Sequence, residues 1–182
     1  TLYHRSRLPF RDDLSDLPRD LLSFRRAIEA ERAPRPPELP VPKLLPLPVG
    51  LNPGKLPTAA ELGHELVKPD PRVEVKAIGG EAQGLKRLKA MIWERALLDH
   101  CHSSRRALSG EGARLHLAPW LNFSCLSPRR VWYEALAFEA QRGQSLGVYQ
   151  LIYHLTQRDF FIFHARKARH ALFDEAGMFP SA

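Results

Sequence analysis

Cysteine is scarce. Cys101 and Cys125 are the only two in 182 residues. That is too few for a disulfide framework and fits a reducing compartment, with both thiols expected to be buried or idle. Long apolar runs are missing too. None approaches the roughly 18 to 20 consecutive residues that a membrane span requires, because His, Arg or Pro interrupts each one. An integral membrane protein is therefore not expected, although peripheral membrane association stays open. The start of the chain offers no signal-peptide core and no transit segment, and it opens on Thr1, which suggests processing or trimming. No internal repeat is present, which removes helical solenoids. Sheet patterning is nearly absent, with only a weak alternation from Val73 to Ile78.

What remains is apolar enough for a core and distinctly basic. Apolar residues make up 44%, and 27 Lys plus Arg face 20 Asp plus Glu, for a net charge of +7. The excess is uneven. Residues 1–33 carry 7 cations against 6 anions, residues 34–79 carry 6 against 5, and residues 80–182 carry 14 against 9. A positive surface attracts nucleic acid, anionic lipid or an acidic protein alike, so charge alone does not choose among them.

The patterning divides the chain into three regions. In residues 1–33, a helix is expected over 18–32, with Pro18 in its first turn and Leu21, Phe24, Arg25 and Ile28 on one stripe. Residues 34–79 open with nine of the sixteen prolines inside 34–57, where neither helix nor central strand persists. Leu39, Val41, Leu44, Leu45, Leu47, Val49 and Leu51 are interleaved among them, so an extended strap lying on a surface is expected. Thr58 and Glu61 make a capping box for a short helix ending near Gly63. Residues 80–182 read as helices. One runs from Gly80 to about His102 with Leu85, Leu88, Ile92 and Ala96 inward and Lys86, Arg87, Lys89 and Arg95 mostly outward. A loop covers 103–112. A second helix starts at Ser127-Pro128, carries Val131, Trp132, Ala135 and Phe138, and stops at Gly143. A last helix spans about Leu146 to Glu175, with a break near Ala165 and a close at Gly177. The fold class expected is all-α.

Catalytic and metal motifs fail on context. Gly50, Gly54 and Lys55 have the wrong spacing for a phosphate loop and no strand before them. His100, Cys101 and His102 are sequence neighbours and point in different directions, so a zinc site would need Cys125 and a further ligand. No hydrolase signature is present. Phe160, Phe161, Phe163, Leu172 and Phe173 read as core. Trp120 and Trp132 suit burial better than stacking on a base or flavin.

Several short stretches nonetheless occur in a familiar order. They are Thr1-Leu2-Tyr3-His4, Leu8-Pro9-Phe10, Leu17-Pro18, Phe24-Arg25, Pro42 to Pro48, Glu61-Leu62-Gly63 and Gly79-Gly80-Glu81. Ile92-Trp93, Ala118-Pro119-Trp120-Leu121, Cys125-Leu126-Ser127-Pro128-Arg129 and Arg158-Asp159-Phe160-Phe161 complete the series. In this order and spacing the chain resembles the photolyase and cryptochrome family, most closely the DASH cryptochromes. The resemblance covers nearly the whole chain and implies a partial photolyase/cryptochrome-type helical domain, its first half, preceded by the proline-rich strap. In the family that domain holds FAD.

The departures from the family pattern shape the functional expectation. Family members place Ser or Thr hydroxyls on the FAD diphosphate just before a Ser-Pro-Trp-Leu motif. The matching positions here are Arg114, Leu115 and Ala118, and the last two have no side-chain donor. The motif's Trp120 is kept. His154 and Gln157 replace a polar residue and a Trp of the family, the Trp being one that helps form the lesion pocket in photolyases, while Arg158 is kept. The family's residues around the flavin ring and its antenna domain fall outside the 182 residues, so light chemistry is not expected of this chain. The expectation is a non-catalytic structural or interaction subunit of a larger assembly with no cofactor and vestigial FAD positions at Arg114, Leu115, Ala118, Trp120, His154 and Arg158. The alternative is part of a FAD-binding DASH-type protein, a blue-light receptor or single-stranded DNA photolyase. Protein subunits are the expected partners, with nucleic acid a weaker candidate, and Arg129, Arg130, Arg166, Lys167 and Arg169 are the candidate contacts. The resemblance to DASH members implies an organellar location, chloroplast or mitochondrion.

Overall fold

The computed structural model describes residues 1–31, 34, 48–52, 54–65, 70–73, 76–100 and 115–175. All regular structure among them is helical. The chain forms two compact units, one from Thr1–Glu38 with Ala77–Ala182 and the other from Leu39–Lys76.

In the larger unit, α1 (Leu21–Glu31) begins three residues later than expected. Asp20 sets the start, because its carboxylate accepts the Ser23 N–H at 2.8 Å as an N-cap does, and this leaves Pro18 outside the helix. Phe24 and Ile28 are buried as the stripe requires. Arg25 shares the stripe without entering the core. Its guanidinium bonds Glu29 at 2.6 Å and the Tyr149 hydroxyl at 2.6 Å, and it lies 4.7 Å from the Tyr149 ring centroid.

The expected helix from Gly80 to His102 is interrupted. α2 (Glu81–Lys89) runs into a wider π-helical turn at Ala90–Glu94, where the Arg95 N–H reaches back to the Ala90 carbonyl at 2.9 Å. Ala96 then takes a left-handed φ of 48°, and α3 (Leu97–His100) comes next. The buried set is Gly84, Leu88, Met91, Ile92, Leu97 and Leu98, with Leu85 and Ala96 only half-buried. The extra residue in that turn re-phases the residues after it, which brings Leu97 and Leu98 inward in place of Ala96. Residues 101–114, with the loop expected over 103–112, lie outside the described residues.

α4 (Ala118–Asn122) is a short helix ahead of the hairpin of α5 (Pro128–Arg142) and α6 (Leu146–Ala168). α5 matches its expected span. Ser127 holds the N-cap position without a side-chain bond, and Gly143 ends the helix at φ 87°. Val131, Ala135 and Phe138 point inward. Ser145 caps α6 through Gly147 N–H at 3.1 Å and donates to the Leu98 carbonyl at 2.6 Å, which joins α3 to the hairpin.

α6 stops earlier than expected. Arg169 takes a left-handed φ of 51° and begins a 3-10 turn, Arg169–Phe173, so the break falls four residues after Ala165. Gly177 lies outside the described residues. The aromatic cluster divides accordingly: Phe160 and Phe163 are core, whereas Phe161, Leu172 and Phe173 are exposed.

Residues 1–20, irregular apart from a 3-10 turn at Arg5–Arg7, pack against α6, with Leu2, Tyr3, Leu8, Leu14 and Leu17 buried. Burial, with the charges of Glu29 and Asp159 adding to it, pushes the Tyr3 hydroxyl up to about 12.

The smaller unit carries the capping box. Thr58 N–H donates to Glu61 Oε2 at 2.6 Å, and Glu61 N–H to Thr58 Oγ1 at 3.3 Å. In place of a helix, the box opens a pair of tight turns closed by Gly63 at φ 76°, with His64 N–H on the Ala59 carbonyl at 2.9 Å and Gly63 N–H on Ala60 at 3.0 Å. Val49 and Leu51 are exposed. Residues 35–47, with the other strap leucines, lie outside the described residues. Lys55 pairs with Glu61 at 3.9 Å, and no strand precedes Gly50 or Gly54 among the described residues, so a phosphate loop has no support there.

Candidate functional site at α4

Leu115, His116 and Leu117 lead into α4, His116 with a left-handed φ of 51°. Leu117 is buried, Leu115 half-buried and Ala118, the first residue of α4, exposed. Trp120 turns into the protein, where its Nε1–H donates to the Ile78 carbonyl at 2.8 Å. α2 approaches this indole so closely that a Cβ on Gly84 would sit 3.1 Å from Trp120 Cδ1 and 3.4 Å from Leu126 Cβ. The Leu126 N–H donates to the Trp120 carbonyl at 3.1 Å, so neither neighbour is free to give way. Gly84→Val is therefore expected to destabilise the chain by about 1–3 kcal/mol, the usual cost of forcing extra methyls into a packed contact. Urea denaturation followed by circular dichroism checks it.

Two arginines hold the backbone of α4 and of the residues leading into it. Arg87 on α2 donates Nε–H to the Leu115 carbonyl at 3.2 Å, so it is not the outward cation expected from sequence. Arg158 on α6 donates from Nη2 to the Leu121 carbonyl at 3.1 Å. Its Nη1 is buried without a hydrogen bond, 4.0 Å from Asp159 Oδ1. Leu115, Ala118, Trp120 and Arg158 thus gather around α4. His154 lies one turn before Arg158, exposed, with Nδ1 3.4 Å from Gln157 Oε1. Arg114 lies outside the described residues.

This donor set does not fit the flavin diphosphate in the manner the resemblance implies. Leu115, Leu117 and Ala118 carry no side-chain donor, Pro119 has no N–H, and no hydroxyl occurs between Leu115 and Leu121. Among the described residues, the Nη1 of Arg158, which makes no hydrogen bond, is a group that suits an anion. No group of three metal-ligating side chains occurs among the described residues. Cys125 is a free, half-buried thiol, and Cys101 lies outside them.

The candidate contact cations separate by what they already hold. Arg130 pairs with Glu134 at 3.2 Å, and Glu134 also accepts Trp93 Nε1–H at 2.8 Å. Lys167 donates to the Ser15 carbonyl at 3.0 Å. Arg129 is half-buried in the first turn of α5. Arg166 is exposed, 5.6 Å from the Phe163 ring centroid, and Arg169 is exposed at the end of α6. Trp132 is half-buried, edge-on to Tyr133 at 4.9 Å.

Sequence reading missed the polar anchors on the buried side of α6. Asp159 is fully buried and accepts the N–H groups of Leu2 at 2.9 Å and Tyr3 at 2.8 Å. Burial pushes its carboxyl up, and the bonds from Tyr3 and Leu2 pull it back. His164 Nε2 lies 2.8 Å from the Pro18 carbonyl, and burial pushes its pKa down. The available signal was a pair of titratable residues recurring on the apolar side of a helix, where each must find a partner.

No family model matches the sequence. Individual relatives do. The chain is 36% identical over 178 residues to a Xenopus laevis protein named cryptochrome DASH, which covers 98% of the chain and 34% of that relative. A Gloeobacter violaceus protein of the same name is 36% identical over 98% of the chain and 35% of its own length. An Arabidopsis thaliana relative, 32% identical over 97% of the chain and 30% of its length, is named cryptochrome DASH, chloroplastic/mitochondrial. The solved structure of a Synechocystis cryptochrome superposes with a TM-score of 0.81 at 31% identity, covering 98% of the chain and 36% of that structure. The chain thus spans about a third of the length of the proteins it matches.

Proposed function

Since the chain belongs to the photolyase/cryptochrome family and corresponds to about a third of its matched relatives, we propose that it serves as a non-catalytic interaction region whose α4 site no longer holds FAD. The observation that carries this reading is the donor set at α4. Leu115 and Ala118 stand at two of the positions where the family places hydroxyls on the diphosphate, and a diphosphate left without those donors loses its charge-assisted hydrogen bonds. Other protein subunits are the partners this reading calls for. An organellar location belongs to the same proposal, supported by the names of plant relatives such as those of Arabidopsis thaliana and Oryza sativa.

The second reading is a FAD-binding region of a DASH-type photoreceptor or photolyase. Arg158 favours it, because its buried Nη1 is left over after Nη2 has bonded Leu121. One experiment separates the two. The purified chain is examined for flavin absorbance and for FAD released on denaturation, with and without added FAD. The expected result is no bound flavin, and measurable FAD retention in the triple variant Arg114→Thr, Leu115→Ser, Ala118→Ser. Stoichiometric FAD in the unaltered chain overturns the first reading.

A further inference from the structure

Residues 11–20 reach α1 with no helix or strand of their own. They form turns, with Leu14 at a left-handed φ of 61° and the Leu14 and Leu17 N–H groups bonded back to the Arg11 and Leu14 carbonyls at 2.9 and 3.1 Å. Such local bonds shape the segment but do not dock it. Docking comes from the burial of Leu14 and Leu17, each 3% exposed, and from two side chains near the end of α6. His164 Nε2 lies 2.8 Å from the Pro18 carbonyl, and one turn further on Lys167 Nζ donates to the Ser15 carbonyl at 3.0 Å. Both contacts are internal to the chain.

His164 sits in a place that resists charge. It is 4% exposed, and its ring centroid lies 4.4 Å from that of Phe160. A carbonyl only accepts, so the neutral ring carries its proton on Nε2. The charge that bears on it is that of Lys167, of the same sign as an imidazolium. The carboxylates of the docked segment are spent on its own turns: Asp13 accepts the Ser15 N–H at 2.9 Å, Asp16 the Arg11 N–H at 2.8 Å and Asp20 the Ser23 N–H at 2.8 Å. On α1, Arg25 and Glu29 pair with each other beside Tyr149, toward the other end of α6. Arg19, Arg166 and Arg169 are exposed and only add positive charge.

We propose that His164 is an acid-sensitive clasp: when its ring takes a second proton, residues 11–18 leave α6 and expose Leu14 and Leu17, while the Leu2–Tyr3 end stays docked. The driving force is the cost of keeping an imidazolium buried beside Lys167. Burial, with Lys167 adding to it, holds the docked ring below the ordinary histidine value of 6.5, and the bond to Pro18 offsets this only in part. The released ring, in water, returns to that value. The released form therefore binds more protons, so docking has its full strength above about pH 6.5 and weakens as the pH falls. Asp159, at the other end, responds with the opposite sign. Burial pushes its carboxyl up against the pull of the Tyr3 and Leu2 N–H groups, the Thr1 amine and Arg158, so the docked form takes the proton more readily and acid does not loosen it. The inference goes beyond the interaction and flavin readings and depends on neither.

The test is amide hydrogen exchange of the 182-residue chain at pH 7 and pH 5, read by NMR as protection factors, which remove the intrinsic effect of pH on exchange. Leu14 and Leu17 are expected to lose at least about fivefold in protection at pH 5, with Tyr3 and the α5 amides of Ala135 and Phe138 unchanged. His164→Gln keeps an N–H donor for the Pro18 carbonyl and removes the titration, so its Leu14 and Leu17 protection should be level between the two pH values. Unchanged protection at Leu14 and Leu17 in the unaltered chain, a fall shared equally by Tyr3 or α5, or the same fall in His164→Gln overturns the proposal. If His164→Gln loses its helical circular dichroism, the His164 ring resonances of the unaltered chain decide. A ring that gains its second proton in step with the loss of Leu17 protection supports the clasp, and a ring that becomes cationic while that protection is intact overturns it.

Discussion

Phe24→Ala is expected to destabilise the chain by about 3–5 kcal/mol, the range for deleting a buried phenyl ring. Phe24 is fully buried and sits where three parts of the sequence meet. Its ring stacks on Phe10 at 5.8 Å and takes Phe160 edge-on at 5.6 Å. Removing it leaves a void between irregular chain, α1 and α6. These neighbours do not close in easily, because Asp159, His164 and Lys167 already tie the irregular chain to α6. The measurement is the urea midpoint of the variant against the parent, with an unchanged slope showing that stability alone has moved. A Phe24→Leu variant, which refills most of the space, should recover more than half of the loss. A midpoint for Phe24→Ala within experimental scatter of the parent would show that this ring is not part of the cooperative core.

Asp159→Asn carries the second large effect, about 2–4 kcal/mol, although the side chain keeps its shape. Each carboxylate oxygen accepts a different backbone N–H, from Leu2 and from Tyr3. An amide has one oxygen and one NH2 group, so one of the two N–H donors would face another donor and lose its acceptor in a buried place. Arg158, whose Nη1 lies 4.0 Å away, would also lose its nearby anion. Thermal unfolding followed by circular dichroism reads the loss. Hydrogen exchange at the Leu2 and Tyr3 amides localises it, because these two amides should exchange faster than those of α5. Protection unchanged at both positions would mean that the carboxylate does not hold the segment.

Both effects depend on contacts that sequence patterning does not display. Phe24 was legible as a core residue because it recurs with Ile28 at helical spacing, yet its partners Phe10 and Phe160 come from irregular chain and from a helix more than a hundred residues later. Asp159 was legible only as part of a familial Arg-Asp-Phe-Phe string. Its partners lie 157 and 156 residues away, and no local period encodes them.

Local rules worked where local energetics decide. Ser127-Pro128 and Gly143 bound α5 because an N-cap position, a fixed φ and a left-handed glycine act within one turn. Thr58 and Glu61 form their reciprocal bonds for the same reason, although the turn they open closes at Gly63 before a helix develops. The rules failed where packing overrides them. The π-helical turn at Ala90–Glu94 rotates the residues after it, so Leu97 and Leu98 replace Ala96 in the core.

The candidate site divides in the same way. Side-chain chemistry is a property of the sequence: Leu115 and Ala118 lack donors in any fold, and the basic excess of residues 80–182 is a matter of counting. Which groups are spent on the protein itself was decided only by tertiary structure. Arg87, an outward cation by pattern, is committed to a carbonyl, as are Lys167 and Arg158, and Arg130 is committed to a carboxylate, whereas Arg166 stays exposed. The physical reason is range. Helix periodicity and capping act over three to five residues, and a side-chain hydrogen bond to a distant backbone group exists only after the chain has brought the two within about 3 Å.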